Sequence, residues 1–419
     1  MIAIPVAHSR LDHASLTLRQ RLLSLRQRWA YVAEDGERDL RIDFLRGVVM
    51  VVLITVHIEL FSVFNLFTFE RFGCISGGEG FVILSGVVLG RAYGRRVRAG
   101  APWTDTTWKL LERAAQLYRV SVALIAIVWL VRLSGWVDVS AITSFIDRAN
   151  DKVYPLYPAL GASWNAVAGS MAVLRSGPHQ VQVLGLYVIL IAFVPLALYI
   201  MNQGKTSGIL AMSWIVYLYN TAYPAMPTGA QFEYGFPVLT WQLIFFHGVA
   251  VGYHWKALMD FAATPRGRIA VAGCVALACA FAFFAQNTTN ANMPTWARIS
   301  VIPPDVFNDI YRRFFQKNTL GVLRVVNYAV ALVTAMVALT VAWVPLRRWL
   351  GWFLIPIGQC TLYVFILHLF VVAFINIIIP FKISISHDDI WLNTAAHAAA
   401  LAFLWAMVRW RVAFGFIPR

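Results

Sequence analysis

The sequence predicts an all-α integral membrane protein of about ten transmembrane helices, with both termini in the cytoplasm. Three observations carry that expectation. Hydrophobic residues make up 59% of the 419 and charged residues only 13%, about half the charged share usual in soluble domains. Apolar runs long enough to cross a bilayer recur along the chain. Arginine and lysine gather on alternate connections between those runs, which is the asymmetry that orients membrane proteins.

The apolar runs lie at 44–64, 76–94, 114–134, 181–201, 207–222, 238–256, 268–286, 322–343, 353–379 and 391–408. The first begins in "RIDFLRGVVM" and continues through "VVLITVHIEL". The second follows a glycine-rich entry, "CISGGEGFVILSG". The fourth carries "VLGLYVILIAFVPLAL", the sixth "TWQLIFFHGVAVGY" and the ninth "IGQCTLYVFILHLFVV". The fifth is short and the ninth long. With the N-terminus inside, the inner connections hold Arg38 and Arg41, then Arg91, Arg95, Arg96, Arg98, Lys109 and Arg113, then Lys205, then Lys256, Arg266 and Arg268, then Arg347 and Arg348, and finally Arg409, Arg411 and Arg419. The outer loop 223–237 has no lysine or arginine and 380–390 only Lys382. The long outer loop 135–180 mixes Arg148, Lys152 and Arg175 with Asp138, Asp147 and Asp151, and 287–321 is the exception, with four basic residues. Long loops weigh little in this rule. The net charge of +15 is explained by the inner connections, so nucleic acid is not an expected partner.

Residues 1–38 form an extension to a transmembrane domain spanning 39–419. Residues 8–30 lack the unbroken apolar core of a secretory signal. Leu11, Leu18, Leu22, Leu25 and Trp29 fall on one helical face among arginines, which reads as a basic amphipathic helix on an anionic leaflet; disorder is the other reading. The two large outer loops, 135–180 and 287–321, carry Tyr154, Tyr157, Trp164, Trp296 and Tyr311. These aromatics suit stacking on sugar rings, although an interfacial belt is the plainer account. Cys74, Cys274, Cys279 and Cys360 show no metal spacing and read as small buried hydrophobes.

The chemistry concentrates in the first run. Arg46 and His57 stand eleven residues apart, which returns a helix to within about 20° and separates them by about 16 Å along its axis. Asp43 shares their face. A titratable imidazole in an apolar slab is a functional site by default. Glu59 falls about 200° from His57 on the same wheel and is a poor direct partner. On the second run, Glu79 lies near the outer end and Ser85 about two turns deeper. Glu79 and His57 therefore reach similar depths, where a carboxylate would fix the imidazole's tautomer. His368, His247, Gln359 and Gln242 are further intramembrane polar groups, each most simply a structural hydrogen-bonder. His179 and Gln180 precede the fourth run on the outer side. Phosphate loops, dinucleotide fingerprints, zinc motifs and nucleophile elbows are absent from the sequence.

"LRIDFLRGVVMVVLITVHI", followed by "RFGCISGGEGFVILSGVVLGRAYG", resembles the start of the OpgC family. Those are inner-membrane succinyltransferases of osmoregulated periplasmic glucans, within the acyltransferase-3 superfamily. The later blocks at 183–198, 240–253 and 357–372 are similar in style. The superfamily's arginine–histidine motif falls on Arg46 and His57, its Phe-rich segment on Phe81, Ser85 and Gly86, and its late histidine on His368. The resemblance implies ten helices in the bacterial inner membrane, a cytoplasmic acyl-CoA donor such as succinyl-CoA, and a glucan or other glycan hydroxyl as acceptor. No permanently bound cofactor and no metal are implied.

On that basis His57 is expected as general base and Glu79 as its orienting carboxylate. Arg46, Arg41, Arg91 and Arg95 are expected to bind acyl-CoA, because arginine forks suit phosphate oxygens. Ser85, His368 and His179 are expected to line the passage or the acceptor site. A homodimer is the one protein partner allowed for. The rival classes are a transporter or flippase for an anionic lipid or sugar, in which the buried charges form a proton path, and a catalytically silent scaffold.

Overall fold

A computed structural model describes residues 29–32, 38–147, 152–382, 387 and 389–418. Most of the 1–38 extension, including the amphipathic stretch up to residue 28, lies outside the described residues, as do Arg148, Asp151 and Arg419.

The chain is a helical bundle. Its main helices are α1 (Leu40–His57), α2 (Gly77–Arg98), α3 (Trp103–Ser134), α4 (Val183–Asn202), α5 (Thr206–Ala222), α6 (Val238–Tyr253), α7 (Pro265–Gln286), α8 (Val322–Val341), α9 (Trp352–Gln359), α10 (Thr361–Ile378) and α11 (Ile390–Arg409). Among the described residues, six are long and apolar enough to cross a membrane: α3, α4, α7, α8, α10 and α11. Helix α6 is apolar but shorter. The other expected spans depart for physical reasons. Charged side chains interrupt α1 and α2, and α5 has only 17 residues. The long ninth run is two helices, with Pro356 inside α9 and a non-helical Cys360 between α9 and α10. Helix α3 runs for 32 residues, about 48 Å at 1.5 Å per residue. Its first turns, "WTDTTWKLLER", therefore extend beyond the roughly 30 Å apolar slab that its later part can fill.

Two crossings fix the centre of the bundle. A β-carbon on Gly86 or Gly90 of α2 would run into the backbone of α6 at Phe245 and Val249, and one on Gly248 or Gly252 would strike α2 at Ile83 and Val87. Glycines four residues apart on both helices thus let two backbones touch, the packing that membrane helices use where apolar burial offers little drive. Gly47 of α1 and Gly358 of α9 meet each other's helices in the same way, at Leu354 and Asp43. The main core gathers α4, α6 and α10 around Leu186, Trp241, Phe245, Tyr363 and Phe365, all 1% exposed or less.

The 135–180 loop adds a small antiparallel hairpin, β1 (Ser144–Asp147) and β2 (Lys152–Pro155), pairing Phe145 with Tyr154. Of the loop aromatics, Tyr157 is buried against Trp129, whereas Tyr154, Trp164 and Trp296 are exposed. The cysteine expectation needs correction: Cys74 is buried, Cys274 and Cys360 are partly exposed, and Cys279 is exposed on α7.

Candidate active site

Helix α1 contains both Arg46 and His57, but it ends at His57: Ile58 is extended, with φ −82° and ψ 96°. His57 therefore sits at a helix end, and the residues after it leave the helical wheel. Its Nδ1 lies 2.9 Å from Nε2 of His368, and the two rings stack at 5.1 Å. His368 is fully buried on α10, and its Nδ1 lies 2.5 Å from the carbonyl oxygen of Phe365.

These contacts assign the tautomers. A carbonyl oxygen can only accept, so His368 Nδ1 carries the proton and donates to it. His368 Nε2 is then a lone pair, and His57 Nδ1 must donate to it. The remaining nitrogen, His57 Nε2, is left as a lone pair, and it has no hydrogen-bond partner among the described residues. The arrangement produces a neutral imidazole with one basic nitrogen free, held in orientation by a second imidazole.

The carboxylate expected beside His57 is elsewhere. Glu79 is paired with Arg324 and accepts from the Ser76 hydroxyl at 2.5 Å and the Ser76 backbone N–H at 2.9 Å. Ser76 and Glu79 form a capping box at the start of α2, a motif that satisfies otherwise orphaned helix donors. Arg324, fully buried on α8, also donates to Glu70 at 2.7 Å and to the Phe315 carbonyl at 2.8 Å. Glu79 thus orients no imidazole in this structure; it belongs to a buried Glu70–Arg324–Glu79 cluster tying α2 to α8. The sequence motifs do not single out Arg324; a lone cation inside an apolar run is its one signal.

Glu59, set aside by the helical wheel, lies 3.6 Å from Nε2 of His179. The ring of His179 meets that of His57 edge-on at 6.2 Å, and the Phe145 ring meets His179 at 5.3 Å. His179 is therefore brought to the site by the segment entering α4. Phe81 of α2 stacks on Phe365 at 5.2 Å and contacts Tyr187 at 5.6 Å. The buried Tyr187 hydroxyl lies next to Ser85 without completing a hydrogen bond, within electrostatic reach of Arg46. The rings of Tyr187, Phe81, Phe365 and His368 follow one another in contact up to His57.

The four arginines separate. Arg46 donates to Thr361 Oγ1 at 2.5 Å, at the start of α10, and lies 3.5 Å from Asp43. Asp43 is held at 2.6 Å by Arg38 through both oxygens. Arg41 is buried: it grips both oxygens of Asp39, donates to Thr340 and lies 3.9 Å over the Tyr31 ring. Arg91 also contacts Asp39, at 3.2 Å. Burial pushes the Asp39 carboxyl up, and the Arg41 and Arg91 guanidiniums outweigh this, holding it below its usual range. Arg95 is exposed and makes no side-chain hydrogen bond or ion pair among the described residues. Arg41 and Arg91 therefore serve the joint between α1, α2 and α8, while Arg46 bonds to the start of α10 and Arg95 lies exposed. His247 is bound to the Leu243 carbonyl and to Trp214 Nε1, and Gln242 to Ser213, as structural hydrogen bonds.

No curated protein matches the chain. A family model described as OpgC protein matches residues 38–414, nearly the whole chain. The chain belongs to the OpgC family.

Proposed function

We propose that the protein is a membrane O-acyltransferase that moves an acyl group, succinyl in the first instance, from acyl-CoA to a hydroxyl of a glucan. Family membership supports an acyltransferase-like role in glucan modification. The observation that carries the chemistry is the Phe365–His368–His57 hydrogen-bond chain, which leaves His57 Nε2 as a free base.

In this reading the acceptor hydroxyl donates to His57 Nε2. Its oxygen attacks the thioester carbonyl as its proton passes to the imidazole. The new C–O bond forms, the C–S bond breaks, and the imidazolium returns the proton to the departing thiolate, so the base is regenerated. His368 keeps His57 in the productive tautomer. Arg46 and Arg95, on the basic side of α1 and α2, bind the anionic donor, with Ser85 and Tyr187 along its path. That side is then cytoplasmic, and the His57 end of α1 faces the periplasm of a bacterial inner membrane.

The test is transfer by the purified protein from labelled succinyl-CoA to a glucan oligosaccharide. His57→Ala is expected to lower kcat by about 10² to 10⁴, the usual contribution of a positioned base, with donor affinity retained. Arg46→Ala is expected to raise the donor KM more than it lowers kcat. Wild-type protein that consumes no acyl-CoA, or full activity in His57→Ala, would overturn the proposal.

A further inference from the structure

The side of α10 that carries Phe370, Phe374 and Ile377 lies about 180° round the helix from His368 and takes no part in the proposed transfer. Between it and α3 runs a cavity of about 180 Å³. All nine residues that line it are apolar. Val128 of α3 is buried, whereas Phe370, Phe374 and Ile377 are exposed, so the cavity opens sideways, out of the bundle. Both walls are helices long and apolar enough to cross a membrane, so the opening meets hydrocarbon. Residues 137–142, which follow α3, close one end with Val139 and Ile142. That segment is tied down: Asn376 donates to Asp138 at 3.2 Å and Gln180 to the Ala141 carbonyl at 2.9 Å. Val128 lies six residues before Ser134, the end of α3, and Phe370 eight before Ile378, the end of α10. The cavity therefore reaches about 9–12 Å in from those ends, within the roughly 15 Å of hydrocarbon in one leaflet. At the closed end stands a cation. Arg132 follows Val128 by about one turn, within about 40° of it on the helix. It donates to the Pro158 carbonyl at 2.7 Å and lies 5.4 Å over the Trp129 ring, with no other hydrogen bond or ion pair among the described residues. Trp136, just past the end of α3, is 92% exposed, as befits a ring at a membrane interface.

We propose that this cavity is a binding site for one acyl chain of a membrane phospholipid, whose phosphate meets Arg132. Three features argue for that occupant. Apolar cavities of about 150 Å³ stay dry and take up hydrocarbon, and this one offers a water molecule no polar side chain. Its shape suits a chain and not a protein: a helix is about 10 Å across, too wide for a slot closed at one end by residues 137–142. Its charge suits a phosphate ester, because a guanidinium with free donors stands at the closed end, at the depth of a headgroup, and arginine forks match phosphate oxygens. A chain seated there fills the gap between α3 and α10. The site stands independently of the transferase reading.

The experiment titrates purified full-length protein, stripped of lipid in detergent, with palmitoyl-oleoyl phosphatidylethanolamine or with palmitoyl-oleoyl glycerol, which has the same chains and no phosphate. Native mass spectrometry counts the bound lipid. Wild type is expected to bind the phospholipid saturably and about tenfold more tightly than the diacylglycerol, the worth of a charge-assisted hydrogen bond. That comparison needs no variant to fold. Ala373→Phe puts a ring into the cavity and is expected to weaken phospholipid binding about tenfold or more. Arg132→Gln is expected to bring the two lipids to similar affinity. At about a hundredfold excess over its Kd, the phospholipid is expected to raise the melting midpoint of wild type by about 5 °C and that of Ala373→Phe by less than about 1 °C. The same melts show whether each variant folds. Absence of saturable phospholipid binding in wild type, equal affinity of wild type for the two lipids, or unchanged binding in a folded Ala373→Phe would overturn the site. A dimer mass that Ala373→Phe abolishes while phospholipid binding persists would give this face to a second copy of the chain and overturn it too.

Discussion

Replacing Arg324 with methionine tests whether the Glu70–Arg324–Glu79 cluster is a structural joint. The arginine is fully buried and donates to Glu79, to Glu70 at 2.7 Å and to the Phe315 carbonyl at 2.8 Å. Removing it strands the Glu79 carboxylate, whose side chain is 1% exposed, near a second carboxylate. Breaking one side of a buried pair costs about 3–5 kcal/mol. At about 2 °C per kcal/mol for a long chain, the melting midpoint falls about 6–10 °C. Glu79→Gln is milder. The amide oxygen still accepts in the capping box, Arg324 keeps Glu70 and Phe315, and the loss is about 1.5–3 kcal/mol. The triple variant Arg324→Met, Glu70→Gln, Glu79→Gln removes all three charges and is expected to recover most of the stability, because the penalty lies in the unpaired charge. The assay is tryptophan-fluorescence melting in detergent at one fixed scan rate, with transfer activity measured on the same samples. A midpoint for Arg324→Met within about 1 °C of wild type, or a triple variant no more stable than the single, would refute the reasoning. Glu79→Gln that keeps its melting point yet loses transfer would return Glu79 to the chemistry.

Two other outcomes follow from the geometry. His368→Asn is expected to retain more activity than His368→Ala, since the amide oxygen can still accept from His57 Nδ1. The alanine variant frees the wrong tautomer and is expected to lose about 10²-fold or more in kcat with the donor KM little changed, as steady-state kinetics on both variants would show. For Asp39, whose folded carboxyl lies below its unfolded value, the stabilisation is fully present above the unfolded pKa of about 3.9 and is lost as pH falls through the lower folded value. Melting curves from pH 7 to pH 3 are expected to drop at the acid end, and Asp39→Asn to flatten that drop.

The sequence made much of the arrangement legible, and its failures have particular causes. Eleven-residue spacing placed Arg46 and His57 on one helix because α1 is regular over that interval. The same wheel set Glu59 aside as a direct partner of His57, and its premise, a helix to residue 64, fails at Ile58. The run stays apolar through Phe61 and Phe64, and no glycine or proline marks the stop at Ile58, so hydropathy carried the helix past its end. The expected contact of Glu79 with His57 fails, although one actual partner was written locally: Ser76-Gly-Gly-Glu79 is a capping-box pattern. Its partner Arg324 sits far along the chain, where spacing carries no information. Pro356 in the ninth run was a readable sign of the break before α10. The contact between His57 and His368 joins α1 to α10 and could come only from the packed bundle.

The position of His57 as the last residue of α1 has an electrostatic consequence. The final carbonyls of an 18-residue helix point past it and make that end the negative pole of the helix's dipole. In the proposed transfer the imidazole would gain the acceptor's proton, and the new positive charge would form at that pole. In a partly buried setting such a placement stabilises a cation by up to about 2 kcal/mol, more than tenfold in rate if fully expressed in the transition state. Ending the helix at this residue thus supplies a counter-field to the proposed base, whose immediate neighbour, His368, is a neutral ring.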